Sequence, residues 1–256
     1  MLRKSALTLA ALPLFLTASP ADAAQLKVYV SGAMAHALEV ISEDFAKKNG
    51  HTIELVVGTT GTIQERVRKG EKADLIEITN VGMDALEMEK LVVPGSRIDL
   101  ARGLIGIAVP EGAASPNIAT PEAVKQRLLS ARSVAYINPQ GGGQAGAAIT
   151  GMVAKMGITQ QLAGKTVYGS TGADAVGKMA AGQADIAISF VSEIIHVKGA
   201  KLVGELPKEL QSPSLYSGAV GSGAANPAAA RALLQAMQSA ESQKIMREAG
   251  LDPVTR

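Results

Sequence analysis

The chain contains no cysteine and no tryptophan among its 256 residues. Without cysteine there is no disulfide, no thiolate metal site and no residue to carry a lipoprotein anchor, so stability must come from packing. Aromatic residues are few, three Phe and four Tyr, which leaves little material for base-stacking or sugar-stacking platforms. Lys and Arg number 25 against 23 Asp and Glu, and no stretch gathers the basic residues into a stripe. Nucleic-acid binding is therefore not expected. The three histidines, His36, His51 and His196, are scattered with no metal-ligand spacing, so no metal is expected. No G-x-S-x-G nucleophile elbow occurs either.

The N-terminus carries an apolar run, Ala6 to Ala18, shorter than the ~20 residues that span a bilayer. Arg3 and Lys4 precede it, and Pro20-Ala21-Asp22-Ala23-Ala24 follows with small residues where a signal peptidase reads. Residues 1–23 are read as a signal peptide cut after Ala23, with an uncleaved anchor helix as the alternative. The expected location is the periplasm.

The remainder alternates strand and helix patterns, as in an α/β protein with largely parallel sheets covered on both faces. Gln25 to Val30 alternates like a strand, and Met34, Leu38, Ile41 and Phe45 then recur at helical spacing up to Gly50. Further strands are expected at Thr52–Val57 and Ala73–Ile78, followed by helices from Ile63 and around Leu86. Gly103 to Pro110 reads as a buried strand crossing to a second lobe. That lobe would hold the strands Ser133–Ile137, Lys165–Tyr168 and Ala184–Ser189 with their helices. Leu215 to Val220 would cross back, and Pro227 to Gly250 reads as a long amphipathic helical stretch broken near Ser239.

Four strand ends open into Ser/Thr/Gly-rich turns before a helix: Ser31-Gly32, Gly58-Thr59-Thr60, Gly141-Gly142-Gly143 and Ser170-Thr171-Gly172. Such turns present unpaired N–H groups and the positive end of the helix dipole, a cradle for an anion. Ser and Thr are also ordinary N-caps, so capping alone is the competing account of each turn. Gly141 to Gly146 fits G-x-G-x-x-G, but the next strand ends in Gly169-Ser170-Thr171 without the acidic residue a dinucleotide site needs. No nucleotide or other cofactor is expected. Asp74 and Asp185 fall at strand starts, where structural roles are expected.

The order of elements resembles the periplasmic molybdate-binding proteins of ABC importers and their wider relatives. The matching stretches are Val30-Ser31-Gly32-Ala33-Met34, Gly58-Thr59-Thr60-Gly61-Thr62, Arg66 through Leu75, Val92-Val93-Pro94-Gly95-Ser96-Arg97 and Ala249-Gly250-Leu251-Asp252-Pro253. The resemblance implies a two-lobe type II periplasmic binding fold. Its lobes would be residues 24–107 plus 216–256, and residues 108–215. It also implies a ligand shell of Ser31, Gly32, Thr59 and Thr60 from the first lobe. The second lobe would add the amides of Gly142, Gly143 and Gln144 and those near Ala175. The expected partners are a small anionic ligand and an ABC permease in the inner membrane, with the protein itself a monomer.

Two departures bear on the ligand. The family's molybdate binders have a tyrosine near the end of the strand that here reads Ile186-Ala187-Ile188-Ser189-Phe190. The run Gly141-Gly142-Gly143 also suggests room for more than a tetrahedral oxyanion, such as an organic carboxylate. Some relatives resemble aconitate isomerases, so an isomerase on the same scaffold is the alternative to a binder. An isomerase needs a base, and the turns supply no acid or histidine for it. Tyr136, Tyr168 and His36 are the nearby titratable groups.

Overall fold

The computed structural model describes residues 23–141 and 143–255. The signal-peptide reading therefore lies outside the described residues except for Ala23, and so does Gly142. The first lobe begins with strand β1 (Gln25–Ser31), helix α1 (Ala35–Asn49), β2 (Thr52–Gly58), α2 (Thr60–Arg68), β3 (Leu75–Thr79) and α3 (Asn80–Met88). β4 (Ile98–Gly103) then runs into β5 (Ile105–Pro110). The second lobe continues with α4 (Pro121–Ser130), β6 (Val134–Ile137), a 3-10 turn (Pro139–Gly141), α5 (Gln144–Lys155) and α6 (Thr159–Ala163). β7 (Thr166–Gly169), α7 (Gly172–Ala180), β8 (Ile186–Phe190), α8 (Val191–Ile194) and β9 (Ala200–Glu205) complete it. The chain returns through β10 (Ser214–Val220), α9 (Pro227–Ala236), α10 (Ala240–Glu248) and β11 (Leu251–Pro253).

Two sheets result, ordered β11-β4-β10-β3-β1-β2 and β7-β6-β8-β5-β9. Each contains a parallel block, β2-β1-β3 in one and β7-β6-β8 in the other. The strands that enter from the opposite lobe run antiparallel to that block, β10 on β3 and β5 on β8. Both sheets are thus mixed, because a strand leaving one lobe at the cleft end enters the next from that same end.

Alternation sets the layers. Val28 and Val30 join one buried cluster while Tyr29 between them joins another on the opposite face. Each such apolar side chain contributes roughly 1.5–3 kcal/mol when fully buried. The expected crossing strand is β5, which starts at Ile105 and pairs with β8 and β9 in the second sheet, while Gly103 ends a separate strand, β4, that pairs with β10 in the first. Leu104 makes the step between them. Gly103 permits it, because a Cβ there would stand 3.0 Å from the Tyr216 ring and 3.1 Å from that of Phe190. The C-terminal stretch breaks where expected, with Ser239 capping α10 through the N–H of Ser242.

Candidate functional site

The parallel strands of both blocks point their carboxyl ends into one cleft, where ligands of open α/β sheets sit. Its lining includes Ser31, Gly32, Gly58, Thr59, Thr60 and Thr79 from the first lobe. Ile137, Gly143, Gln144, Ala145, Thr171, Phe190 and Glu193 face them from the second, and Tyr216 forms part of the floor. The narrow space between these residues opens to solvent. Among the described residues that line it there is no Lys, Arg or His, and one carboxyl group, that of Glu193.

Of the residues singled out from the sequence, Ser31, Gly32, Thr59, Thr60, Gly143 and Gln144 come together in this cleft. Ala175 is fully buried in the second turn of α7, and its N–H donates to the Thr171 carbonyl at 3.1 Å. Thr171, at the start of that helix, lines the cleft in its place. Tyr136 and Tyr168 stack edge to face on each other and are not among the lining residues.

The hydroxyls are mostly committed inside the protein. Ser31 gives its N–H and its Oγ–H to Glu77 Oε2, both at 2.8 Å. Thr59 caps α2 in a reciprocal box with Thr62, and its Oγ1 also donates across the cleft to the Gly141 carbonyl at 2.9 Å. Thr60 and Thr79 share a hydrogen bond between their hydroxyls at 3.2 Å. Thr171 caps α7 by accepting from Asp174 N–H at 3.0 Å. Capping therefore accounts for Thr59 and Thr171. What stays open to a ligand is chiefly backbone: the first amides of α2 and α5 have no acceptor within their own helices.

Two carboxyl groups stand at this end of the sheets, and neither was anticipated. Glu77 is fully buried in β3, and burial raises its pKa to about 8 against the opposing effect of the two Ser31 bonds. Its Oε1 is buried without a hydrogen-bond partner. Glu193, on α8, is 8% exposed and accepts from Ser189 Oγ at 2.7 Å. Backbone bonds from Phe190 and Gly172 also reach it, but burial outweighs them and its pKa is raised. Its Oε1 lies against Gly32 of the other lobe, where a Cβ would stand 2.9 Å away. Tyr216 is pushed up as well, by burial first and then by the charges of Glu193 and Glu77. The expectation that the cleft offers no acid is thus corrected. A signal was present in both cases: a glutamate interrupts an apolar run, Leu75-Ile76-Glu77-Ile78 and Phe190-Val191-Ser192-Glu193-Ile194.

A cleft between two mixed sheets, floored by the returning strand, agrees with what whole-chain comparison finds. Residues 26–252 match the model of the bacterial extracellular solute-binding protein family. The chain belongs to that family. Among its relatives, the aconitate isomerase of a Pseudomonas species is 32% identical, with 96% of each chain covered. The molybdate-binding protein ModA of Azotobacter vinelandii is 24% identical, with 92% of each chain covered. A solved periplasmic molybdate-binding protein from Azotobacter vinelandii superposes with a TM-score of 0.77 at 22% identity, covering 90% of this chain and 99% of that one. That likeness shows the periplasmic binding fold. Among the described residues, no helix is long and apolar enough to cross a membrane, and no cluster of His, Asp and Glu could hold a metal ion.

Proposed function

We propose that this protein captures a small organic acid between its lobes in the periplasm and presents it, as a monomer, to an ABC permease of the inner membrane. Residues 1–23 would serve export. The observation that carries the reading is the convergence of helix starts from both lobes, those of α1, α2, α5 and α7, on one cleft. Aligned N–H groups there favour a negatively charged guest. The ligand shell is Ser31, Gly32, Thr59 and Thr60 facing Gly143 and Gln144, with Thr171 standing for the Ala175 region and Gly142, outside the described residues, kept as a further candidate from the sequence. Closure would occur by bending where the chain crosses between sheets, at Leu104 and between β9 and β10, so that the limits near 107 and 216 mark the hinge. A thermal-shift series tests this: cis-aconitate, trans-aconitate, citrate and tricarballylate against molybdate and sulfate. At ~100 times its dissociation constant a ligand adds about 2.7 kcal/mol. A carboxylate is expected to raise the melting temperature more than molybdate does. Stabilisation by molybdate alone rejects the organic-acid reading.

Glu193 favours a second reading, an isomerase. A buried carboxyl in the cleft is the proton carrier that moving a double bond requires, and amides at helix starts can hold the developing negative charge. The 32% identical relative bears the name aconitate isomerase. Incubation of cis-aconitate with the protein in heavy water separates the two readings. A binder leaves the compound cis and free of deuterium, whereas turnover above ~1 per second, abolished by Glu193→Gln, makes the protein an enzyme.

A further inference from the structure

The helix starts that favour an anion already face a carboxyl group of the protein itself. Glu193 receives the backbone N–H of Gly172 at the start of α7 and the hydroxyl of Ser189, while its other oxygen presses on Gly32 before α1. A Cβ on Gly172 would overlap this carboxyl group, so glycine at that turn is what lets it in. A second anion in the same cleft would lie beside it with no cation in the described lining to separate the two charges. Coulomb repulsion between the two charges, little screened in a partly buried cleft, opposes the cradle's attraction.

We infer that this cleft takes its anionic ligand together with one proton, held on Glu193 or shared between Glu193 and the ligand. The inference rests on the organic-acid reading above and deepens it: Glu193 is the residue that makes capture proton-linked and selects guests able to accept a hydrogen bond from a carboxylic acid. The balance is simple. One proton comes from solvent, no bond of the ligand breaks, and release returns the proton.

The groups around Glu193 are consistent with this. Tyr216, from the first sheet, lines the cleft with Glu193 and feels the charges of both Glu193 and Glu77; burial raises the pKa of Tyr216 and of Glu77, so neither supplies positive charge. On α7, Asp174 and Lys178 pair with each other at 3.3 Å, and Lys178 Nζ donates to the Tyr168 carbonyl. On its outer side Glu193 borders a second, solvent-open cavity whose lining includes His36, Glu39 and His196. The His36 and His196 rings stack at 3.7 Å, and burial lowers the pKa of His196. That cavity gives the proton a way to reach Glu193 without passing the ligand.

Calorimetry of the full mature protein tests the inference, with tricarballylate as the probe because it has no double bond to move. Titrations between about pH 7 and pH 9 in two buffers of different ionisation enthalpy count the protons taken up. The wild type is expected to take up a proton with the ligand wherever free Glu193 is ionised, with affinity there falling up to about tenfold per pH unit as pH rises. Glu193→Gln is expected to bind with no such uptake and with affinity nearly independent of pH, while Glu77→Gln leaves the uptake in place. Binding by the wild type that is flat with pH, or uptake that persists in Glu193→Gln, overturns the inference alone. The wild-type proton count stands even if the variant does not fold. Absence of heat at every pH, for this probe and for citrate, overturns the organic-acid reading and takes the inference with it.

Discussion

Ser31 donates both its backbone N–H and its hydroxyl to a single oxygen of Glu77, each at 2.8 Å. The hydroxyl at the first turn of the cleft is therefore directed into the protein, and the turn's shape depends on a buried carboxyl group one strand away.

Stability should depend on pH through Glu77. Unfolded, this carboxyl ionises near its ordinary value of 4.5, while in the fold it keeps its proton up to about 8. Between those values the folded state binds one more proton than the unfolded state. The group's contribution is thus complete below the unfolded value, falls by up to about 1.4 kcal/mol per pH unit as pH rises, and is lost on passing the folded value. Urea unfolding at several pH values should show a flatter profile for Glu77→Gln than for wild type. Equal slopes would mean that Glu77 is ionised in the fold.

Thr59 should hold the lobes together. Its Oγ1 bonds to Gly141 in the opposite lobe and to its own helix cap. Thr59→Ala loses both and should weaken ligand binding about two- to tenfold, the worth of one ordinary hydrogen bond, with a further ~0.5–2 kcal/mol of stability lost at the cap. Thr59→Ser keeps the hydroxyl and should match wild type in both. Small-angle scattering should show a more open ligand-free form for the alanine variant only.

Gly172 and Glu193 should be energetically coupled. The added methyl of Gly172→Ala would meet the Glu193 carboxyl and the Ser189 hydroxyl, an overpacking cost of typically ~1–3 kcal/mol. Combined with Glu193→Ala, which removes the obstacle, the same substitution should cost much less. Additive losses in a double-mutant cycle would show that the methyl is accommodated elsewhere.

Asp74 should matter for stability and not for the ligand. Its two oxygens accept from Lys27 N–H at 2.9 Å and from Asn226 N–H at 2.7 Å, tying β1 to the entry of α9 at the strand end away from the cleft. Asp74→Ala should destabilise by about 1.5–3 kcal/mol, as for bonds to a charged acceptor. The ligand's dissociation constant should stay within about twofold of wild type, a difference of under ~0.5 kcal/mol. Calorimetry on the folded variant measures that directly.

Much of the fold was legible in the chain because its signals are local. Val28 and Val30 alternate with Tyr29, Gly50 ends α1 in the left-handed conformation at φ 68°, and Ser239 caps α10. The turns at Ser31-Gly32, Thr59-Thr60 and Gly143-Gln144 could be read as helix starts for the same reason, and they do meet in one cleft. Two features needed non-local information. The crossing strand starts two residues later than expected, at Ile105, because Gly103 belongs to β4, which finds its hydrogen-bond partners in the other sheet. Ala175 faces the interior because α7 packs its second turn against Gly169, where a Cβ would collide with it.

By itself, the sequence determined the strand–helix alternation, the helix caps and the lack of any cysteine or clustered cation. All of these are set by residue type and by spacing within a few positions. Only the tertiary structure decided which side chains share the cleft's electrostatics. Glu77 and Glu193 are separated by more than a hundred positions, and each looks like one charge in an apolar run until folding removes its water. Burial beside Ser31, Ser189 and Gly172 then raises both pKa values, because desolvation penalises a carboxylate more than a few hydrogen bonds can repay.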